Sequence, residues 1–187
     1  KWPNLVIYTT AEYFNIFQYK FLAGDPNNVL SKPNTLILTE NRAKDYFPNQ
    51  KPSEIIGKTL VYNDSINVAV TGIVENFKDR TDILFEEFIS RPTLLQSRLR
   101  DYFLTKPWNN TNSDSQLYVK LNENADIESL HQYLDKLAEE NKDEYAIKYK
   151  QETQFRLQLL SDLHFNTDYG LYDWTISRAS KPLLRNL

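Results

Sequence analysis

The stretch TLVYNDSINVAVTGIV, Thr59 to Val74, decides the fold class. β-Branched and aromatic residues fill Thr59–Tyr62 and Ile66–Val74, a composition that is typical of strands. Between them stand Asn63-Asp64-Ser65, residue types that favour a tight turn. Apolar residues alternate with polar or small ones in the second segment, as in a strand with one buried face. The stretch therefore predicts a β-hairpin within residues 51–77.

Further strands and helices are predicted on both sides of this hairpin from hydrophobic periodicity and from turn residues. The predicted strands are Leu5–Tyr8, Phe17–Leu22, Thr35–Leu38, Leu84–Ile89, Gln116–Leu121 and Phe155–Leu160. The predicted helices are Thr10 to about Phe17, Thr39 to Phe47, and a helix from about Ile127 to Lys142. Residues 91–112 allow a helix followed by a loop.

Two of the predicted helices begin at recognisable capping residues. Thr9 and Glu12 have the spacing of a capping box. Asn124 or Asp126 caps the longest helix, whose apolar residues recur every three or four positions from Ile127 onwards. Strand–helix–strand units at both ends and a β-rich middle indicate an α+β fold.

Length and composition describe an ordinary globular chain. Its 187 residues suit one domain or two small lobes, and 41% hydrophobic with 25% charged residues disfavours long disorder. The sequence has no cysteine, which excludes disulfides, thiolate zinc sites, iron–sulfur clusters and cysteine nucleophiles. No apolar run is long enough to predict a bilayer-spanning helix.

The charge distribution argues against a nucleic-acid binder. The formal net charge is −3 and the pI is near 5.5. Residues 175–187 contain Arg178, Lys181 and Arg185 and no acidic residue. Such a basic end can mark a surface that meets phospholipid headgroups, but the charge pattern favours a solvated tail.

Gly57-Lys58-Thr59 resembles the end of a phosphate-binding P-loop. The complete motif needs a glycine five residues before Gly57, and Pro52 occupies that position. It also needs a helix after the threonine, whereas the sequence here predicts a strand. We therefore interpret Gly57 as part of a turn that leads into a strand.

We predict structural roles for the two histidines. His131 lies one helical turn before Asp135, which is the spacing of a surface pair. Ser161, Asp162 and His164 are near neighbours on a predicted strand, so their side chains do not converge readily into a hydrolytic triad. Neither histidine has a partner at His-x-x-x-His spacing, the usual helical zinc pair.

A carbohydrate-active domain is the alternative that the residues leave open. Glu86 and Glu87 are adjacent in a predicted strand and should point to opposite faces, which does not suit a paired acid and base. Carboxylates from distant segments could still form such a pair. Four aromatic residues could stack on sugar rings: Trp108, Tyr169, Tyr172 and Trp174.

Several segments, taken in order, resemble the MacB-like extracytoplasmic domain of ABC transporter permeases, the FtsX/MacB/LolC-type superfamily. The opening AEYFNIF, followed by FLAGDP, matches the "D-Y-F … F-x-F-L-x-G-D" pattern of this family. The later matches are NTLILTE, AKDYF, IGKTL, VAVTGIVENF, LYVKL and LSDLHF, from residue 34 to residue 165. The resemblance spans most of the chain, although residues 91–112 fit no part of the pattern.

The resemblance implies a place in a membrane protein. Family members hold this domain outside the bacterial inner membrane, on the periplasmic or extracytoplasmic side, between the first and second of four transmembrane helices. Residues 166–187 would then lead to the second helix, and the start at Lys1 without a methionine would follow the first. The family's architecture implies a porter-like lobe at residues 1–20 and 78–165, and a smaller inserted β-rich, Sabre-like lobe at residues 21–77.

The resemblance also implies a function without bond-making chemistry. The domain would couple ATP hydrolysis by a cytosolic ABC ATPase to partner or substrate handling outside the membrane, as a rigid lever. The implied partners are a second permease copy, the ATPase, and a periplasmic adaptor, lipoprotein or peptide. No cofactor, metal site, catalytic residue or nucleic-acid partner is implied, and no ligand-binding residue is identified.

Overall fold

A computed structural model describes residues 6–77, 85–104 and 116–163, which fall into two compact units, within Lys1–Leu104 and within Thr105–Leu187. The strands of the first unit are β1 Val6–Thr9, β2 Phe21–Ala23, β3 Thr35–Thr39, β4 Thr59–Tyr62, β5 Ile66–Val74 and β6 Glu87–Ser90. Its helices are α1 Glu12–Phe17, α2 Glu40–Tyr46, α3 Pro52–Ile55, α4 Arg91–Gln96 and α5 Arg100–Leu104. The second unit contains α6 Ile127–Glu140, α7 Glu144–Tyr149 and α8 Leu160–Leu163.

The first unit contains a six-stranded mixed sheet. Its strand order is β1-β6-β3-β5-β2, and β4 also pairs with β5. The pairs β1/β6 and β3/β5 are parallel, whereas β3/β6, β2/β5 and β4/β5 are antiparallel. A mixed sheet accompanied by several helices confirms the predicted α+β class.

An aliphatic cluster fills one face of this sheet. Its fully enclosed members are Leu36, Leu38, Ala43, Ile55, Val68, Val70, Ile73 and Ile89. Tyr8 of β1 and Tyr62 of β4 both pack against the cluster, although β1 and β4 lie at opposite margins of the sheet. The cluster therefore extends across this face of the sheet from β1 to β4.

Aromatic rings pack on the opposite face. Phe88 alternates with Glu87 and Ile89 along β6, so its ring points away from the aliphatic cluster. The ring centroids of Tyr13 and Phe14, both on α1, lie 5.5 and 5.0 Å from that of Phe88. Helix α1 thus covers this opposite face through buried aromatic side chains.

The predicted hairpin is confirmed with its predicted boundaries. Asn63 and Asp64 both have positive φ, 48° and 57°, and the N–H of Ser65 donates to the carbonyl of Tyr62 at 3.1 Å. Positive φ at both central residues defines a type I′ turn, which suits the right-handed twist of hairpin strands. Short polar side chains such as asparagine and aspartate tolerate this conformation.

Helix α2 also forms as predicted. Thr39 has extended φ and ψ angles, and its side-chain oxygen accepts from the backbone N–H of Arg42 at 3.4 Å. The helix ends at Tyr46, two residues before Pro48, because the residue preceding proline disfavours helical angles.

The beginning of the chain differs from the prediction. Thr9 is the last residue of β1, and Ala11 is the N-cap of α1 without a side-chain hydrogen bond. The predicted capping by Thr9 is wrong because the parallel ladder holds this residue in an extended conformation. The strand predicted from Phe17 begins only at Phe21, since Gln18 adopts a left-handed conformation and turns the chain.

The second unit contains the predicted long helix. The carboxylate of Asp126 accepts from the backbone N–H groups of Glu128 and Ser129 at 3.1 and 3.2 Å, so Asp126 is the cap. Helix α6 ends at Glu140, slightly before the predicted end near Lys142.

Two predicted strands are wrong in the second unit. Residues 116–121 and 155–159 form no ladder in the described part of the chain, and Leu160 begins α8. Alternation along a segment selects which side chains share a face, but a strand also needs a hydrogen-bonded neighbour. Leu117 is 86% exposed, as expected for a segment without such a neighbour among the described residues.

The segment after β6 begins as a helix, in agreement with the sequence. Residues 91–104 form α4 and α5, while residues 105–112 of the predicted loop lie outside the described residues. The proposed lobe boundaries near residues 20 and 78 stay a prediction.

Candidate functional site

Glu87 is the most unusual side chain in the described part of the chain. It is the one fully buried acidic residue there, with 0% exposure, and it lies at the start of β6 beside apolar neighbours. A carboxylate in such a place requires polar partners, since burial of an unpaired charge is strongly unfavourable.

Three side chains from two other elements supply these partners. Tyr46 of α2 donates its hydroxyl to Oε1 of Glu87 at 3.0 Å, and Tyr62 of β4 donates to Oε2. Nε of Arg42, also on α2, lies 3.2 Å from Oε1. We call Arg42, Tyr46, Tyr62 and Glu87 the Glu87 cluster.

Arg42 contacts two further carboxylates. Its Nε lies 3.0 Å from Oε2 of Glu86, and one terminal nitrogen lies 3.4 Å from Asp45. Nε makes no directed hydrogen bond, so its contacts with Glu86 and Glu87 are ionic. Glu86 and Glu87 were predicted to point to opposite faces of the strand, but both carboxylates lie beside the Arg42 guanidinium. Glu86 precedes β6, where strand alternation does not apply, and its flexible side chain reaches the same guanidinium.

Both tyrosines hold their protons firmly. Burial and the neighbouring Glu87 carboxylate raise the pKa of Tyr46 to about 12. The same two causes, burial first, raise the pKa of Tyr62 further. Near neutral pH, both hydroxyls therefore act as hydrogen-bond donors to Glu87 rather than as bases or nucleophiles.

This arrangement suits a structural role. Each carboxylate oxygen of Glu87 already accepts a hydroxyl, and the side chain has no exposed surface on which a substrate could bind. The cluster joins β6, α2 and β4, three elements that are distant in sequence. Its chemical effect is to fix those elements relative to one another.

Two further buried polar side chains, Ser90 and Thr93, lie at the other end of β6. The backbone N–H of Asn34 donates to Oγ1 of Thr93 at 2.7 Å, and the hydroxyls of Ser90 and Thr93 lie 2.7 Å apart. Asn34 has φ of 61°, so this bond holds a left-handed residue immediately before β3. The Asn34 N–H and the hydroxyls of Ser90 and Thr93 therefore each have a hydrogen-bond partner within the first unit.

The Gly57-Lys58-Thr59 segment forms the predicted turn. Gly57 has φ of 87° and its N–H donates to the carbonyl of Val70 at 2.7 Å. Strand β4 follows at Thr59, where a P-loop would require a helix.

His131 and Asp135 do not pair with each other in the structure. Nε2 of His131 accepts from the backbone N–H of Leu157 at 3.5 Å, while Asp135 forms an ion pair with Arg156 at 2.5 Å. These contacts support the structural role predicted for His131, and they connect α6 to the segment that follows α7.

Several candidate residues cannot be placed. The four aromatic residues of the carbohydrate alternative, His164 and the basic residues 175–187 all lie outside the described residues. In the described part, no three His, Asp or Glu side chains are grouped so as to hold a metal ion. Within residues 6–77, 85–104 and 116–163, none of the helices has the length and apolar character that a bilayer crossing requires.

Sequence reasoning missed the Glu87 cluster. The available signal was the position of Glu87, directly before Phe88 and Ile89 in a segment predicted as a buried strand. Its partners could not be read from the sequence, because Tyr46 and Tyr62 lie 41 and 25 positions away from it.

One comparison with known proteins identifies a family for this chain. The sequence model of the MacB-like periplasmic core domain matches residues 1–137, more than half of the chain. No curated protein matches the sequence. A domain assigned to a permease protein of Porphyromonas gingivalis aligns with a TM-score of 0.51 and 17% identity, over 74% of this chain and 59% of that chain.

The periplasmic region of MacB from Actinobacillus actinomycetemcomitans aligns with a TM-score of 0.47 and 18% identity, over 79% of this chain and 66% of that chain. The chain thus spans less than two thirds of either solved structure. At 17% identity, the Porphyromonas gingivalis likeness shows a shared fold.

Proposed function

Because this chain belongs to the family of MacB-like periplasmic core domains, we propose that it is the extracytoplasmic domain of an ABC transporter permease and transmits motion. In this proposal, ATP hydrolysis by a cytosolic ATPase moves the transmembrane helices of the permease. The helices then reposition this domain as a rigid body. The family match over residues 1–137 is the observation that carries the proposal.

The construction of the first unit supports rigid-body movement. Six strands share one sheet, and the aliphatic cluster joins both margins of that sheet. The Glu87 cluster adds polar links among β6, α2 and β4. A unit held by contacts between distant segments transmits a displacement with little internal deformation.

We further propose that the domain performs no catalysis. Tyr46 and Tyr62, whose pKa values are raised by burial and by Glu87, are both engaged with that buried carboxylate. Substrate handling would therefore depend on surfaces rather than on a reactive centre. Within residues 6–77, 85–104 and 116–163, no observation favours the carbohydrate-active alternative.

We place the domain at the extracytoplasmic face of a bacterial inner membrane, anchored through flanking helices. Its proposed partners are a second permease copy, the ATPase, and an adaptor, lipoprotein or peptide outside the membrane. The family description as a periplasmic domain supports this location.

The proposal is tested by measuring distances between spin labels in the complete permease, reconstituted with its ATPase in lipid vesicles. This chain has no cysteine, so Lys44→Cys on α2 introduces a labelling site that is unique within the chain, at a side chain that is 65% exposed. We expect the distance between the labels on two permease copies to differ between the nucleotide-free and ATP-trapped states.

Two controls make the measurement specific. An ATPase variant that cannot bind ATP should leave the distance between copies unchanged. A second pair of labels within the first unit, at Lys44 and Tyr102, should give the same distance in every state. A distance between copies that ignores ATP would refute motion transmission, and a variable distance within the unit would refute rigid-body movement.

A further inference from the structure

Strand β4 is weakly attached to the first unit compared with its hairpin partner. β5 lies inside the sheet, with β3 on one side and with β4 and β2 on the other. Among the described residues, β4 has a ladder on one side only, which covers four residue pairs. Thr59 and Val61 of β4 are exposed, so its inward contacts come from Leu60 and Tyr62.

Tyr62 provides a polar link from this marginal strand to the centre of the sheet. In the described part of the chain, it is the one β4 residue whose side chain forms a hydrogen bond. The acceptor, Glu87, lies on β6, which is separated from β5 by β3. The bond therefore crosses the face of the sheet that carries the aliphatic cluster. A hydrogen bond to a buried carboxylate is stronger than one between neutral groups.

Two further side-chain contacts beside β4 lie near solvent. Arg98 donates to the hydroxyl of Ser65 at 3.2 Å in an exposed position. Nζ of Lys58 lies 5.7 Å from the ring centroid of Phe47. Exposed polar and cation–π contacts of this kind contribute little to stability.

We propose that the Tyr62–Glu87 hydrogen bond is a clasp that holds β4 over the aliphatic cluster, and that β4 can open from the sheet as a separate step. Opening breaks the β4/β5 ladder and the clasp, while β3, β5 and β6 stay paired and Tyr46 stays bonded to Glu87. Such local openings occur in native proteins at strands with few buried contacts. The inference concerns the chain itself and does not depend on the proposed transport function.

Native-state hydrogen exchange on the 187-residue chain tests the clasp. In the unmodified chain, we expect the β4 amides to exchange faster than the β3 amides, through an opening that responds weakly to low urea concentrations. Tyr62→Phe keeps the ring and removes the hydroxyl. It should accelerate exchange about tenfold or more at both β4 and β3, because the bond is lost in local and global opening alike.

Tyr46→Phe is the matched control, since it removes the other hydroxyl bonded to Glu87. It should accelerate exchange at β3 more than at β4, because local opening keeps the Tyr46–Glu87 bond and breaks only the contact between the two tyrosine hydroxyls. Equal acceleration of β4 by both variants would overturn the proposal, as would a Tyr62→Phe variant with unchanged β4 exchange. Equal exchange and equal urea dependence of β3 and β4 in the unmodified chain would overturn it without any variant.

Discussion

Tyr46 donates its hydroxyl to Oε1 of Glu87 at 3.0 Å, although the two residues stand 41 positions apart in the sequence. The tyrosine is 40% exposed, whereas the glutamate is fully buried. A side chain on a surface helix thus reaches the centre of the sheet and bonds a charge that water cannot reach. Stability of the first unit should therefore respond to small changes at either residue.

Tyr46→Phe should lower the free energy of unfolding by about 1–2 kcal/mol, since it removes one hydrogen bond to a charged acceptor. Urea denaturation followed by circular dichroism measures this change. Lys44→Gln on the same helix is the control, because it breaks only the exposed ion pair with Glu40 and should change stability by less than about 0.5 kcal/mol. Equal losses in the two variants would contradict a special role for Tyr46.

Glu87→Ala should lower the free energy of unfolding by about 3–5 kcal/mol, as expected when one member of a buried charged network is removed. Both tyrosine hydroxyls lose their acceptor, and Arg42 keeps only its contacts with Glu86 and Asp45. Glu86→Ala is the control and should cost less, because Glu86 is partly exposed. A loss below about 1 kcal/mol for Glu87→Ala would show that the cluster adds little to stability.

Gly24→Ala and Gly57→Ala separate two costs of a new side chain. Both glycines have positive φ, 93° and 87°. A Cβ at Gly24 would overlap the carbonyl oxygen of Thr71, whereas a Cβ at Gly57 meets no atom within 4 Å. Gly57→Ala should therefore cost about 1 kcal/mol from backbone strain alone, and Gly24→Ala clearly more. Similar melting temperatures for the two variants would contradict the close approach at Gly24.

Gln18→Gly should raise the free energy of unfolding by about 0.5–1 kcal/mol. Gln18 follows α1 with φ of 52°, a conformation that costs energy for residues with a Cβ and suits glycine. Gln96→Gly, at the last helical position of α4, should instead lower stability, because glycine is unfavourable within a helix. Thermal unfolding of both variants checks the predicted difference in sign.

The helical content of α6 should fall at low pH. Hydrogen bonds from the side chain and the backbone N–H of Ser129 lower the pKa of Asp126. This lowered pKa means that the cap stabilises the folded state fully above the ordinary aspartate value of about 3.9, and less as the pH falls through the lowered value. Carbon-detected NMR titration of Asp126, with the amide shifts of α6, follows both changes. Asp126→Asn should remove the loss of α6 helical content at low pH. If that loss persists in the variant, another titrating group causes it.

Local interactions explain why much of the fold was predictable. Thr39 and Asp126 cap their helices through backbone groups two or three residues away, and the Asn63-Asp64 turn depends on its own two residues. Such signals are complete within a short window of sequence. The hairpin boundaries and the starts of α2 and α6 were therefore correct.

Long-range interactions explain the failures. Thr9 has a capping residue's chemistry, yet pairing with β6 keeps it extended. The alternation from Gln116 to Leu121 is that of a strand, but the described chain offers it no ladder. The Glu87 cluster requires α2, β4 and β6 to meet on one face of the sheet, and that arrangement depends on the whole sheet. None of these facts is encoded within one segment.

The pairing of β1 with β6 has a consequence for how the chain folds. Val6 pairs with Glu87, so the first strand acquires its neighbour only after more than eighty residues have been synthesised. Contacts of such long range close large loops and slow folding. A nascent chain that stops before Ser90 should hold the β4–β5 hairpin but leave its first strand unpaired. Pulling on the N-terminal end would accordingly detach β1, the strand that is synthesised first, before the other strands.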